Sequence, residues 1–257
     1  MDKAFLVAAD ENIADILFWW IYQCVKFHPD IPIQVVDLGL KPETRKRVER
    51  NCVILDIEKR KGKHPWFNKP RAMLASQADT TLWMDIDTEF VKNVYDVFDL
   101  TEDGKIGLVP DQFWVNKGKP QYNTGVILYQ GQHSNILKVW DRAINSSNKR
   151  GDQDVLLDLL TEHPIWKQSV FDLPDKYNYV RLEYMVNASG ADDLRVVHWT
   201  GPKGKEIIRG PKKMGLWKSD TGSQELDHGY DGDIEKFREQ HKEKNRNERT
   251  TASTLFT

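Results

Sequence analysis

Cysteine is scarce: the 257-residue chain has two, Cys24 and Cys52. They form neither a metal-ligand spacing nor a disulfide framework, and their apolar surroundings assign them to a reduced core. Long hydrophobic runs are missing too. No segment approaches the roughly 18 consecutive apolar residues of a membrane span. The start, Met1 to Val7, has no basic segment followed by a long apolar stretch, so no signal peptide is expected and a cytoplasm, bacterial, viral or eukaryotic, is the expected compartment. Charge of one sign is not in excess. Lys and Arg number 37 against 39 Asp and Glu, a net charge of −2, so no global field draws the protein to nucleic acid or anionic membrane. Neither an internal repeat nor a clear linker is visible. Tryptophan, by contrast, is plentiful at nine residues. Indole faces stack well on sugars, although core and loop packing accounts for most of them.

The length suits one α/β domain with a small appendage. Ala4 to Ala9 reads as a buried strand, Asp10-Glu11-Asn12 as an acidic turn, and Ile13 to Phe27 as a helix stopped by His28-Pro29-Asp30. Further strands are expected over Ile33–Leu38, Cys52–Asp56, Ile106–Val109 and Gly125–Tyr129. Helices are expected near Pro42–Asn51, Lys69–Gln77, Asn135–Ile144 and Gln153–Thr161. This alternation predicts a mostly parallel central sheet with helices on both faces. After about Gly201 the pattern changes to a basic, glycine- and proline-punctuated stretch, and then to a mixed-charge tail. Residues 1–205 are therefore read as the main domain and 206–257 as a basic, charged, partly helical appendage.

The most informative segment is Leu82-Trp83-Met84-Asp85-Ile86-Asp87. On a strand, alternate side chains share a face, so Asp85 and Asp87 are expected to point the same way where the apolar run ends. Two carboxylates converging at a strand's C-terminal end make a site for a hard divalent cation, Mn²⁺ or Mg²⁺, of the kind that grips a diphosphate. Alone, the same three residues read equally well as two solvated acids in a turn.

Other segments, in order along about four-fifths of the chain, add to that motif. They are Val7-Ala8-Ala9-Asp10-Glu11-Asn12, Val35-Val36-Asp37-Leu38-Gly39-Leu40, Lys69-Pro70-Arg71, Val109-Pro110-Asp111 and Tyr122-Asn123-Thr124-Gly125-Val126. Downstream come Gly151-Asp152-Gln153-Asp154, Leu173-Pro174 with Tyr177-Asn178, and Val197-His198-Trp199-Thr200-Gly201. With these segments the chain resembles the GT-A glycosyltransferases, specifically glycosyltransferase family 8, which includes glycogenin and bacterial lipopolysaccharide galactosyl- and glucosyltransferases. Two positions depart from the family pattern. Ile13 stands where members often carry an aromatic residue stacked on uracil, and Gly201-Pro202-Lys203-Gly204-Lys205 replaces the usual His-segment continuation to Lys-Pro-Trp.

The resemblance implies a GT-A fold, a nucleotide-sugar donor (a UDP-sugar first) and a hexose moved with retention of configuration. It implies Mn²⁺ or Mg²⁺ held by Asp85, Asp87 and His198. Ala8, through its backbone, Asp10 and Asn12 would hold base and ribose; the bland reading of the acids is an Asx-type turn, compatible with that role. Lys69 would contact phosphate or sugar, or else be an exposed helix-start lysine. Asn123, Asp152 and Gln153 would meet sugar hydroxyls, with Asp152 and Gln153 at the reacting centre by position; Asp152 alternatively caps the following helix. Asp111, counted among the nucleotide- and sugar-binding residues, precedes with Phe113-Trp114 a polar loop over Asn116–Tyr122 that would form the acceptor rim, and Gly201 with Lys203 or Lys205 would reach the pyrophosphate. The acceptor stays open among glycan, lipopolysaccharide, protein and a phage DNA base. Two other readings remain: a haloacid-dehalogenase-like phosphatase with Asp85 of Asp85-Ile86-Asp87-Thr88 as nucleophile, and an inactive sugar-nucleotide-binding homologue.

Overall fold

The computed structural model describes residues 1–118, 121–131, 134–187 and 193–210. Most of the appendage expected at 206–257 lies outside the described residues. The first half is a regular α/β succession: β1 (Lys3–Ala9), α1 (Ala14–Phe27), β2 (Ile33–Asp37), α2 (Pro42–Glu49), β3 (Val53–Asp56), α3 (Lys69–Leu74) and β4 (Thr80–Met84). Then follow β5 (Thr88–Phe90), β6 (Ile106–Pro110), α4 (Gln112–Val115), β7 (Tyr122–Gln130), α5 (Asn135–Ser146), α6 (Asp152–Glu162) and α7 (Pro164–Lys167). The last elements are β8 (Val170–Asp172), β9 (Tyr179–Val180), α8 (Arg181–Asn187), β10 (Val196–His198) and α9 (Gly201–Arg209).

Seven strands form the central sheet in the order β3-β2-β1-β4-β7-β6-β8, and β5, β10 and β9 form a small second sheet. Every neighbouring pair of the large sheet is parallel except those made by β7, which runs antiparallel to both β4 and β6. The mixed α/β, mostly parallel architecture expected from the sequence is thus present. The reversed strand has a consequence for the site. Its N-terminal end lies beside the C-terminal end of β4, with Val126 opposite Met84. Between β6 and β7 the register breaks: Leu108 pairs with Ile127 but Val109 pairs with Asn123. Thr124, Gly125 and Val126 are therefore skipped by β6, as in a bulge.

The period of two in β1 divides the core. Phe5, Val7 and Ala9 pack with Trp20 and Leu17 of α1 on one face, while Leu6 joins Met73, Leu137 and Trp140 on the other. Trp20 and Trp140 have no exposed surface, and truncating either to alanine would cost about 3–5 kcal/mol. Cys24 and Cys52 are buried and are not joined in a disulfide. Among the described residues no helix is long and apolar enough to cross a membrane.

Two local readings of the sequence change in the structure. α3 ends at Leu74 rather than near Gln77 because Ser76 turns away to the sheet, where its hydroxyl meets Gln34 and Thr81. The segment from Gly201 is a helix despite its glycines and proline. Pro202 sits in the first turn, where no intrahelical N–H is needed, and Gly204 lets the helix approach the Trp199 carbonyl, which a Cβ would meet at 1.6 Å. The short strands β8, β9 and β10 carry no readable sequence period.

Candidate active site

β4 stops at Met84, so the two aspartates converge through a turn and not through the pleat. The Asp85 N–H donates to the Gly125 carbonyl at 2.7 Å, and the Thr88 N–H and hydroxyl close the turn on the Asp85 carbonyl at 3.0 and 2.8 Å. The Trp83 indole N–H holds Asp85 Oδ1 at 2.9 Å. From β10, His198 reaches the same point: its Nε2 lies 3.3 Å from Asp87 Oδ1 and 3.8 Å from Asp85 Oδ2. Ligand atoms of Asp85, Asp87 and His198 all fall within 4.8 Å of one another.

The imidazole is oriented from behind. Nδ1 lies 3.0 Å from Asn123 Oδ1 and 3.1 Å from Asn178 Oδ1. The oxygen of Asn123 is fixed by the Gly125 N–H and by Asn178 Nδ2, each at 2.9 Å. Faced by two oxygens, Nδ1 carries the proton, and the Nε2 lone pair points at the carboxylates. Lone pairs meeting at that distance need a positive charge between them, a proton or a metal ion. Gly125 permits the approach, since a Cβ there would lie 2.0 Å from His198 Cε1.

Lysines surround the carboxylates. Lys69, 6% exposed, reaches Asp85 Oδ1 at 2.9 Å, Asp152 Oδ2 at 3.2 Å and the Thr124 carbonyl at 3.0 Å. Its burial rules out the exposed-lysine alternative. Desolvation works against its charge, but Asp152 and Asp85 outweigh it and raise the ammonium's pKa above the usual lysine range. Burial pushes the Asp152 carboxyl up, opposed by the Lys69 charge and reinforced by Asp85. Asp152 is not a cap: α6 begins with it, and the Asp154 carboxylate accepts the Gly151 N–H at 3.2 Å. Gln153 accepts the Thr124 N–H at 3.1 Å. On the other side, Lys205 of α9 pairs with Asp87 Oδ2 at 2.6 Å. Burial penalises the Asp87 carboxylate, yet a proton on His198 Nε2, by hydrogen bond and charge, together with Lys205 would hold its pKa well below the usual range.

A cleft of about 540 Å³ opens over this cluster. Of the expected residues, Ala8, Asp10, Asn12, Lys69, Asp85, Asp87, Asn123, Asp152, Gln153, His198, Gly201 and Lys205 line it. Asp10 forms the expected turn, accepting from the Asn12 N–H at 3.0 Å. Lys203 is exposed on α9 and, like Asp111, is not among the lining residues. Asp111 is buried instead; among the described residues its Oδ1 finds no hydrogen-bond partner, and burial raises its pKa against hydrogen bonds from Trp114 and Asn123. Ile13 lines the cleft beside Asp10. Sequence reasoning gives no individual role to Trp83, Thr124 or Asn178. The motif Tyr177-Asn178 is the only signal for the last.

The donor set fits a divalent cation. It offers two carboxylates and an oriented imidazole, and three nearby carboxylates of Asp85, Asp87 and Asp152 face two lysine ammoniums. The mostly parallel sheet with one reversed strand has the architecture of the GT-A fold. Solved structures bear this out. The galactosyltransferase LgtC, in an active-site mutant form, is 20% identical with a TM-score of 0.55, over 79% of this chain and 88% of that one. GlyE of Streptococcus pneumoniae TIGR4 is 14% identical with a TM-score of 0.59, over 78% and 55%. A glycosyltransferase involved in glycosylation of the major capsid of PBCV-1 is 12% identical with a TM-score of 0.54, over 81% and 98%. At these identities the likeness is one of fold. No protein-family model and no curated protein sequence matches the chain.

Proposed function

We propose that this protein is a metal-dependent, retaining glycosyltransferase of the family 8 type, transferring a hexose from a UDP-sugar. The observation that carries the reading is the His198 imidazole, fixed at Nδ1 by two asparagines so that Nε2 faces Asp85 and Asp87. LgtC has been crystallised with donor and acceptor sugar analogues, which supports a nucleotide-sugar donor here.

Asp85, Asp87 and His198 would hold Mn²⁺ or Mg²⁺, which supplies Lewis acidity toward the charge that builds on the departing diphosphate. Lys205 and Lys69 add positive charge at the same place, and Gly201 leaves the backbone of the α9 N-terminus open to the pyrophosphate. Asp10, Asn12 and the Ala8 backbone take ribose and base. Asn123, Asp152 and Gln153 take sugar hydroxyls. The Gln153 amide is too weak a nucleophile for a covalent glycosyl intermediate. Retention then follows from attack on the leaving-group face, with a donor phosphate oxygen accepting the acceptor's proton. Nothing in the structure favours the phosphatase alternative.

The test is UDP release from a panel of UDP-, GDP- and ADP-sugars with Mn²⁺, alongside Asp87→Asn and His198→Ala. Metal-dependent release from one donor, lost in both variants while the fold persists, is expected. UDP binding with unchanged metal dependence in either variant would refute the ligand assignment, and binding without turnover of any donor would point to the inactive homologue.

A further inference from the structure

Of the eight described tryptophans, seven are buried or half-buried, and Trp66 alone is exposed, at 46%. It belongs to a short 3-10 turn, Pro65–Asn68, directly before α3, and it lines the same cleft as Asp152 and Gln153. Its ring is held in place. His64 stacks on it with ring centroids 4.2 Å apart and planes 8° from parallel. The indole N–H donates to the Arg150 carbonyl at 3.3 Å, and Lys63 reaches the Ser147 carbonyl at 2.6 Å. These bonds tie the turn to the loop that delivers Asp152 and Gln153. An exposed indole costs hydrophobic free energy, and fixing its ring gives the cleft a flat apolar surface beside the polar side chains of Lys69, Asp152 and Gln153.

We propose that Trp66 is a stacking platform for the apolar face of a pyranose ring. The inference rests on reading the cleft as a nucleotide-sugar site, and it places a sugar ring beside the loop that carries Asp152 and Gln153. The ring belongs either to the donor hexose or to the acceptor saccharide. Trp66 sets specificity by rewarding a ring whose axial C–H groups form one continuous face.

The test uses the full chain labelled with ¹⁵N at the indoles, with the Trp66 N–H resonance identified by its loss in Trp66→Phe. Titration with UDP and Mg²⁺ should leave that resonance nearly unmoved. UDP-glucose or UDP-galactose should shift it if the donor ring stacks. Lactose or maltose, added with UDP and Mg²⁺ present, should shift it if the acceptor ring stacks. Trp66→Ala should weaken the responsive sugar about tenfold without changing the UDP affinity, and Trp66→Phe should restore most of the loss. A response as large with UDP alone, equal weakening of UDP and sugar by Trp66→Ala, or silence in every sugar arm overturns the platform. Bound UDP-sugar with a silent Trp66 sinks the platform and leaves the transferase reading standing. Saccharide shifts without any nucleotide binding do the reverse.

Discussion

Asn178 holds His198 from behind. Its Oδ1 lies 3.1 Å from the imidazole Nδ1 while its Nδ2 donates to Asn123 Oδ1 at 2.9 Å, so one side chain fixes both the ring and the other asparagine that faces it. Groups behind a ligating histidine set its tautomer and its angle, and their loss lowers metal affinity by about 10–100-fold. Asn178→Ala is expected to weaken Mn²⁺ binding in that range, measured by calorimetry, with the far-ultraviolet spectrum unchanged. An unaltered affinity would mean that Asn178 does not orient the ligand.

Gly125→Ala places a methyl group 2.0 Å from His198 Cε1 and 2.9 Å from Asn123 Oδ1. The ring must move, and such crowding costs about 1–3 kcal/mol. A lowered midpoint in thermal denaturation together with loss of Mn²⁺ binding is expected. Destabilisation with full metal affinity would show that His198 is not a ligand.

Lys205 occupies Asp87 at 2.6 Å, where a cation would bind. Replacing it with the uncharged, similarly long methionine frees the carboxylate. Lys205→Met is therefore expected to bind Mn²⁺ more tightly in the absence of nucleotide, by several-fold. Donor turnover should fall by about 10²-fold, the scale on which one lost charge-stabilising donor acts. Parallel falls in metal binding and turnover would assign Lys205 to holding the fold.

His28 predicts a pH dependence remote from the site. It is buried among Phe5, Phe90 and Tyr95, and its Nε2 accepts the Val94 N–H at 2.8 Å. Burial lowers its pKa from 6.5 to about 3, against the nearby charge of Asp30. The unfolded chain takes up this proton below pH 6.5 and the native chain does not, so stability from this group is complete above 6.5 and lost as pH falls toward 3. The slope is about 1.4 kcal/mol per pH unit. Urea unfolding at pH 7.5 and near pH 5 should show that loss, and His28→Gln should flatten it.

Local patterns in the chain are enough to outline the scaffold. The apolar period of β1, β2 and β4 and the helical spacing of α1, α5 and α6 are visible without any tertiary information, as is the acidic pair after β4. What cannot be read depends on distant partners. Lys69 looks like a solvated helix-start lysine until Asp152 and Thr124 close over it. Asn178 reaches His198 because β9 pairs with β10, Val180 opposite His198, through strands of two and three residues. The helix at α9 is hidden in the sequence because glycine and proline disfavour helices in general. Here one sits in the first turn and the other lies against a carbonyl, where those residues are the ones that fit. The sequence gives no hint as to which of the eight described tryptophans is left in solvent.

The skipped register between β6 and β7 decides what kind of change this centre can tolerate. Because Thr124 has no ladder partner on β6, its main-chain N–H is taken by Gln153 and its carbonyl by Lys69. These contacts are made by peptide groups, which alanine scanning leaves in place. The Thr124 hydroxyl adds a bond from Lys69 Nζ at 3.2 Å and one to Asp152 Oδ2 at 3.4 Å, so a substitution at position 124 removes those two contacts but leaves the two peptide bonds in place. Inserting or deleting one residue in β7 would dislodge both at once, and by this logic strand length is under tighter constraint there than residue identity.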